Sequence, residues 1–169
     1  MLKSAALEAG DIVRDVQVLV RRNLSNTLCE VALCDAPNQA AVGVVCQMPK
    51  ALDMVHTLPA AMIEHRIRRP GEGNLSEGET IVQCPEWYDL RLTHDAITIN
   101  ALGEGQINVC GLGGNLMPGD LITTSALPGK GQRQSDDVVR ASSVAKCREA
   151  VTFDFPEQVR LVACIYLCG

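Results

Sequence analysis

Hydrophobic residues fall in short runs along this chain rather than at the three-to-four spacing of a helix. IVRDVQVLV, LCEVALC, AAVGVVCQ, TIVQC, LRLTHDAITIN, QINVC, DLITTS, DVVRASSVA and VRLVACIYLC are each β-branched or apolar, which is the pattern of strands. DAPNQ, PGEGN, GEG, GLGGN, LPGKG and FPEQ lie between them, and Gly, Pro, Asn and Asp clustered this way are turn chemistry. Strands so closely spaced predict an all-β fold, an antiparallel barrel or sandwich of short strands. In this reading GEG and GLGGN are the turns that bracket QINVC.

One stretch departs from the pattern. MPKALDMVHTLPAAMIEHRIRR, residues 48–69, places Pro49 and Pro59 where each opens a short helix, with Leu52 and Val55 on one face and Met62, Ile63 and Ile67 on another. IEHRIRR reads equally as an edge strand with its charges outward. Residues 48–69 are expected to form a short helix or an irregular crossover, and the chain a single domain over residues 1–169 with 48–98 as an insertion or crossover segment within it.

The chain also echoes itself. Gly10-Asp11-Ile12-Val13 is followed by AAVGVVCQ, and Gly119-Asp120-Leu121-Ile122 by ASSVAKCRE. In each half a Gly-Asp turn launches an apolar strand, and a second Val-containing strand ends in Cys. Two related hairpin-like units that together close one barrel account for this.

GDLITTSALPGKG, residues 119–131, tests whether the glycines hold phosphate. A phosphate loop needs Gly, four residues, then Gly-Lys-Ser/Thr. Here Thr124 stands where the first glycine belongs and Gly131 where the hydroxyl belongs. Pro128-Gly129 instead suits the two central positions of a type II turn, proline fixing one φ and glycine accepting the positive one. Neither Gly103 nor Gly111 starts a dinucleotide loop, because Asn108 and Leu116 occupy the sixth positions. No cofactor is expected.

Composition narrows the compartment. The eight cysteines sit inside apolar runs, as small hydrophobes do. Cys29 with Cys34 and Cys164 with Cys168 lack the two-residue gap of a zinc knuckle. No leader-like segment is read at the start, so reduced thiols are expected. A net charge of −5 argues against nucleic acid. The one dense basic run, His65, Arg66, Arg68 and Arg69, lies beside Glu64 and reads as a solvated or subunit-facing patch. No apolar run approaches the roughly 18 residues of a membrane span.

Catalytic signatures are thin. His56, His65 and His94 are scattered, and Glu77/Glu79 and Asp136/Asp137 lie in polar turn-like segments. Ser125 near Lys130 and Ser143 near Lys146 are the Ser-Lys pairings on offer. Aromatic residues are few, and Trp87-Tyr88 is the one place suited to contact a glycan. A tryptophan anchoring a loop against the core is the competing account.

LGEGQINVCGLGGNLMPGDLITTSALPGKGQRQSDDVVRASSVAKCREA resembles a β-domain of phage tail fibres, tailspikes and other virion appendages: a strand, a glycine-rich hairpin, Gly-Asp-Leu, Thr-Ser, Pro-Gly and a closing Val-containing strand. GDIVRDVQVLVRR and AVGVVCQ resemble its first half, so the similarity spans most of the chain outside residues 48–98. The resemblance implies a structural role in the virion, without enzymatic activity, as a C-terminal, tip-like module that forms homotrimers, joins other tail or fibre proteins and assembles in the host bacterial cytoplasm. A host surface receptor is a further partner it implies. Gly10, Asp11, Gly119, Asp120, Pro128 and Gly129 are its structural turns. Some such domains are self-cleaving intramolecular chaperones, for which Ser25-Asn26-Thr27 is the segment on offer here. A small carbohydrate- or metal-binding module is the other alternative. Apolar strands in a domain of this size leave faces or edges to be covered, so self-association is expected through Met48–Arg69 or Val159–Cys168. A free-standing virion protein and a piece of a longer chain both remain open.

Overall fold

A computed structural model describes residues 1–3, 6–21, 27–52, 63–68, 79–83 and 85–168. The elements are β1 (Ile12–Arg21), β2 (Thr27–Leu33), β3 (Gly43–Val45), β4 (Lys50–Ala51), β5 (Ile63–Arg68), β6 (Glu79–Gln83), α1 (Pro85–Thr93), β7 (Asp95–Ala96), β8 (Ile99–Asn100), β9 (Leu102–Cys110), β10 (Leu121–Thr124), β11 (Gly131–Arg133), β12 (Ser143–Cys147) and β13 (Val159–Leu167). The fold is mostly β, with one short α-helix among the described residues.

Two compact units divide the chain. The first holds Met1–Lys3, Val16–Glu30 and Lys50–Ala96; the second holds Ser4–Asp15, Val31–Pro49 and Ile97–Gly169. In the first, β4 pairs with β7 and β5 with β6, both antiparallel. Within residues 48–69 the strand reading of IEHRIRR holds, and the described residues there show no helix. Lys50–Ala51 and Ile63–Arg68 are strands, while residues 53–62 and 69 lie outside the described residues. The helix forms at PEWYDLRLT, part of which reads as strand from its local pattern. Pro85 opens it with φ preset and no N–H to lose, Glu86 lies at its positive end and Arg91 at its negative end. Trp87 buries its ring against Leu52, with Leu28, Leu90 and Ala96 around them.

The second unit contains a closed five-stranded barrel of circular order β10-β11-β9-β13-β12. Its longest ladder is β9 against β13, antiparallel from Val159 opposite Cys110 to Leu167 opposite Leu102. Pleating turns alternate residues inward, and Ile107, Val109, Val162, Cys164 and Tyr166 join Ile12, Val44, Leu116, Ile122 and Val144 in one buried cluster. The expectation of antiparallel pairing holds at every barrel contact but one: β11 meets β9 in parallel, Gly131 opposite Val109.

GEG is not a turn. Gly103, Glu104 and Gly105 lie inside β9, which runs on to Cys110 before a 3-10 turn at Gly111–Gly113. Tyr166 explains why. Its hydroxyl accepts from the Gln106 N–H at 3.0 Å and donates to the Gln106 carbonyl at 2.7 Å. That places the ring over Gly105, where a Cβ would run into the tyrosine hydroxyl and ring. The aromatic supplies the cover that the glycine lacks.

DVVRASSVA is likewise strand only from Ser143 onward. Before it, Asp136 accepts from Val138 N–H and pairs with Arg140, winding the chain into turns.

The internal echo is real at the level of single hydrogen bonds. Gly10 N–H donates to the Val45 carbonyl (2.7 Å) and Val45 N–H to that of Asp11 (2.8 Å); Gly119 and Asp120 do the same with Cys147 (both 2.8 Å). Asp11 Oδ2 accepts from Glu8 N–H at 3.1 Å as Asp120 Oδ2 does from Met117 N–H at 2.8 Å. Both glycines have positive φ, 93° and 99°. Ile12 lies opposite Val44 as Leu121 lies opposite Lys146. Strand order agrees too, β2-β1-β3-β8 against β11-β10-β12-β13.

Two corrections follow. Val45, not Cys46, is the counterpart of Cys147, so the shared terminal cysteine is one residue out of register. The halves also do not close one barrel between them: the second belongs to a closed barrel with β9, and the first is an open four-stranded sheet.

Candidate functional site

Of the residues singled out by the sequence, Gly10, Asp11, Pro128 and Gly129 come together, and Gly119 with Asp120 forms a separate, equivalent turn. Leu127 to Lys130 is the expected turn: Lys130 N–H donates to the Leu127 carbonyl at 3.0 Å, and Gly129 sits at φ 75°. Gly129 is then clasped from both sides. Its N–H donates to Cys34 O at 2.7 Å, and its carbonyl accepts from Ile12 N–H at 2.8 Å.

The turn delivers Lys130 to the launch of β1. Its ammonium donates to Asp11 Oδ1 at 2.5 Å and to Glu8 Oε1 at 2.8 Å. Asn108, from the outer side of β9, donates to the same Asp11 oxygen at 2.9 Å and to Ala9 O at 3.0 Å. The Asp11 side chain is buried, whereas Glu8 is exposed. Burial alone pulls the Lys130 pKa down, but the Asp11 and Glu8 carboxylates outweigh it and the net shift is upward. Glu8 is held below the ordinary carboxylate value by its hydrogen bond from Lys130. Beside the cluster lies an open hollow of about 370 Å³, walled by Leu7, Leu33 and Pro128 together with the charged groups.

An ammonium so held is a fixed cation, not a base. Ser125, its suggested partner, turns its hydroxyl onto its own turn, donating to Lys130 O at 2.9 Å and accepting from Leu127 N–H at 3.1 Å. Ser143 donates to Gln134 Oε1 at 2.7 Å and accepts from Arg140 N–H at 2.9 Å, while Lys146 points to solvent. The chemistry at this junction is electrostatic fastening.

The thiols form a second group. Cys34, Cys147, Cys164 and Cys168 belong to the same apolar cluster, with Cys147 directly opposite Cys164 across β12 and β13. Burial pushes Cys34 and Cys164 up to about 12 and Cys168 up to about 11. All seven described cysteines are free, and Cys84 lies outside the described residues. Among the described residues no three His, Cys, Asp or Glu side chains converge as a metal-holding set.

Trp87 and Tyr88 part company on α1. Trp87 is buried, Tyr88 is exposed, and their rings meet edge to face at 5.2 Å with the Arg91 guanidinium over both. Of the two, Tyr88 is the one exposed, with Arg91 over its ring. His94 accepts or donates at Nδ1 with Thr93 Oγ1 at 2.8 Å, and burial lowers its pKa. His56, Ser25 and Asn26, and the side chains of the basic run at 65–69, fall outside the described residues.

The outer wall of the barrel takes in Val159–Leu167, most of the Val159–Cys168 stretch expected to mediate self-association. VRLVACIYL is apolar on both faces of β13, and a strand apolar on both faces is one built to be covered on both. Leu161 and Ile165 point outward, uncovered. No described helix is long and apolar enough to cross a membrane. Comparison of the chain with protein-family models, curated proteins and solved structures finds no match in any of the three.

Proposed function

We propose that this chain is a structural subunit of a tailed-phage virion, a fibre-tip or appendage module that works as a homotrimer. The observation that carries the proposal is the use made of its glycine motifs. The stretch that resembles the appendage β-domain coincides with β9 to β12; its Gly119-Asp120 and Pro128-Gly129 pairs form turns, and the second sets Lys130 against Asp11. A repeated strand-launching unit, a junction fastened by charge and an outer strand apolar on both faces are the attributes of a part made for assembly.

Peptide mass spectrometry of gradient-purified particles from a lysate that contains the chain tests the proposal. Its peptides should sediment with the particles at a copy number divisible by three. A chain left wholly in the soluble fraction while complete particles form would refute it.

A further inference from the structure

We infer that the outer face of β13 is the surface on which copies of this chain meet, with β13 lying parallel to the symmetry axis. The inference deepens the homotrimer reading and rests on it. An antiparallel sheet with one face in water alternates apolar-in with polar-out. Here the inward residues are Val162, Cys164 and Tyr166, yet the outward ones are also aliphatic: Leu161 is 52 % exposed, Ile165 39 % and Val159 40 %, with Ala163 and Leu167 half-buried between and beyond them. Leu102, 70 % exposed and opposite Leu167 on β9, lengthens the strip. From Val159 to Leu167 it runs for roughly 27 Å at the rise of a strand. A continuous apolar strip of this kind marks a protein contact.

The charges on either bank say what covers it. On the β12 bank, Lys146 lies opposite Ile165 and Arg148 beside Ala163; on the β9 bank, Glu104 lies opposite Ile165 and Gln106 opposite Ala163. Glu149 also lies on the β12 bank, its carboxylate accepting from the Ala163 N–H at 2.7 Å, so Lys146 and Arg148 leave that bank net cationic while Glu104 makes the other anionic, about 10 Å apart across two strand spacings. Rotating a second copy about an axis parallel to β13 brings its β12 bank to the first copy's β9 bank, so Lys146 and Arg148 meet Glu104. Rotation about an axis across the strands sets cation against cation. The layout is therefore complementary to itself in one orientation. A threefold axis along β13 satisfies it as fully as a twofold, because each copy's cationic bank meets the next copy's anionic one. Within one chain Arg148 Nη1 already reaches Glu104 Oε1 at 3.0 Å, and both side chains are exposed. An exposed pair contributes little, so exchanging it for the same pair between copies is cheap.

Sedimentation velocity on the full chain and its variants tests this. The unaltered protein should sediment as three chains. Leu161→Lys should fall to one with its circular dichroism unchanged, and Val138→Lys, exposed on the loop before β12, should stay at three. Glu104→Lys should weaken association at least tenfold, and the double variant Glu104→Lys/Lys146→Glu should restore it, a rescue that loss of folding cannot imitate. A trimer indifferent to Leu161→Lys and Glu104→Lys would overturn the β13 surface and leave the homotrimer standing. A monomer at every concentration would overturn the homotrimer with it.

Discussion

Lys130 and Asp11, 119 positions apart, make a direct ion pair at the launch of β1. Taking away one member of a pair this buried leaves a charge without its partner. Lys130→Met should therefore destabilise the fold by about 3 kcal/mol in urea titration, since breaking a buried pair from one side typically costs that much or more. Glu8→Gln touches the same ammonium from an exposed position and should change little. The raised Lys130 pKa gives the pH sense. The pair's contribution is complete below the unfolded lysine value of about 10.4 and is lost as pH climbs through the folded value.

The buried thiols make the protein base-sensitive earlier than Lys130 does. Cys34 and Cys164 titrate near 12 when folded against 9.0 for a free thiol. Between those values the unfolded chain releases protons that the folded one keeps, so stability falls as pH rises from about 9, each thiol contributing at most about 1.4 kcal/mol per pH unit. Thermal melts across pH 7 to 11 should show the decline, and Cys164→Ala should make it shallower. Cys164→Ala itself should cost on the order of 1 kcal/mol, a packing loss rather than a broken crosslink. Thiol titration of the denatured, unreduced chain should find all eight free.

The duplicated turns set up a matched comparison. Gly10 and Gly119 share a positive φ and the same hydrogen bonds, but a Cβ at Gly119 meets nothing within 4 Å whereas one at Gly10 comes to 3.0 Å of Asn108. Gly119→Ala should cost only the left-handed backbone, about 1–2 kcal/mol. Gly10→Ala should cost more, because Asn108 must give up its grip on Asp11. Chemical denaturation of the two variants in parallel checks the order.

Tyr166 and Gly105 should fail together. Gly105→Ala drives a methyl into the tyrosine ring and should cost about 1–3 kcal/mol. Tyr166→Phe leaves both backbone groups of Gln106 without that hydroxyl and should cost about 1–2 kcal/mol. Adding Tyr166→Ala to Gly105→Ala should cost less than the sum of the two single changes, because the clash disappears with the ring.

Local chemistry decided what was legible beforehand. Runs such as QINVC and VRLVACIYL are strands because alternate apolar residues must be buried, and Pro128-Gly129 is a turn because only glycine accepts its φ without strain. The Gly-Asp repeat was visible for the same reason, though its register was not, since Cys46 and Cys147 look alike in a string and occupy different rungs. α1 stayed hidden because its order comes from Trp87 settling on Leu52, well before it in the chain. GEG passed for a turn because nothing near it announces the tyrosine that lies over it. The Asp11–Lys130 pair joins two segments whose separate patterns carry no sign of each other.

The barrel's parallel closure between Gly131 and Val109 has a consequence for breathing. Without it, the barrel opens into the sheet β11-β10-β12-β13-β9, whose first four strands run in the order that β2-β1-β3-β8 already has. One chain thus holds a latched and an unlatched copy of the same strand arrangement. Sub-global opening of the latched copy should begin at that seam, so the β11 amides should exchange with deuterium before those of β13, held along its whole length by β9.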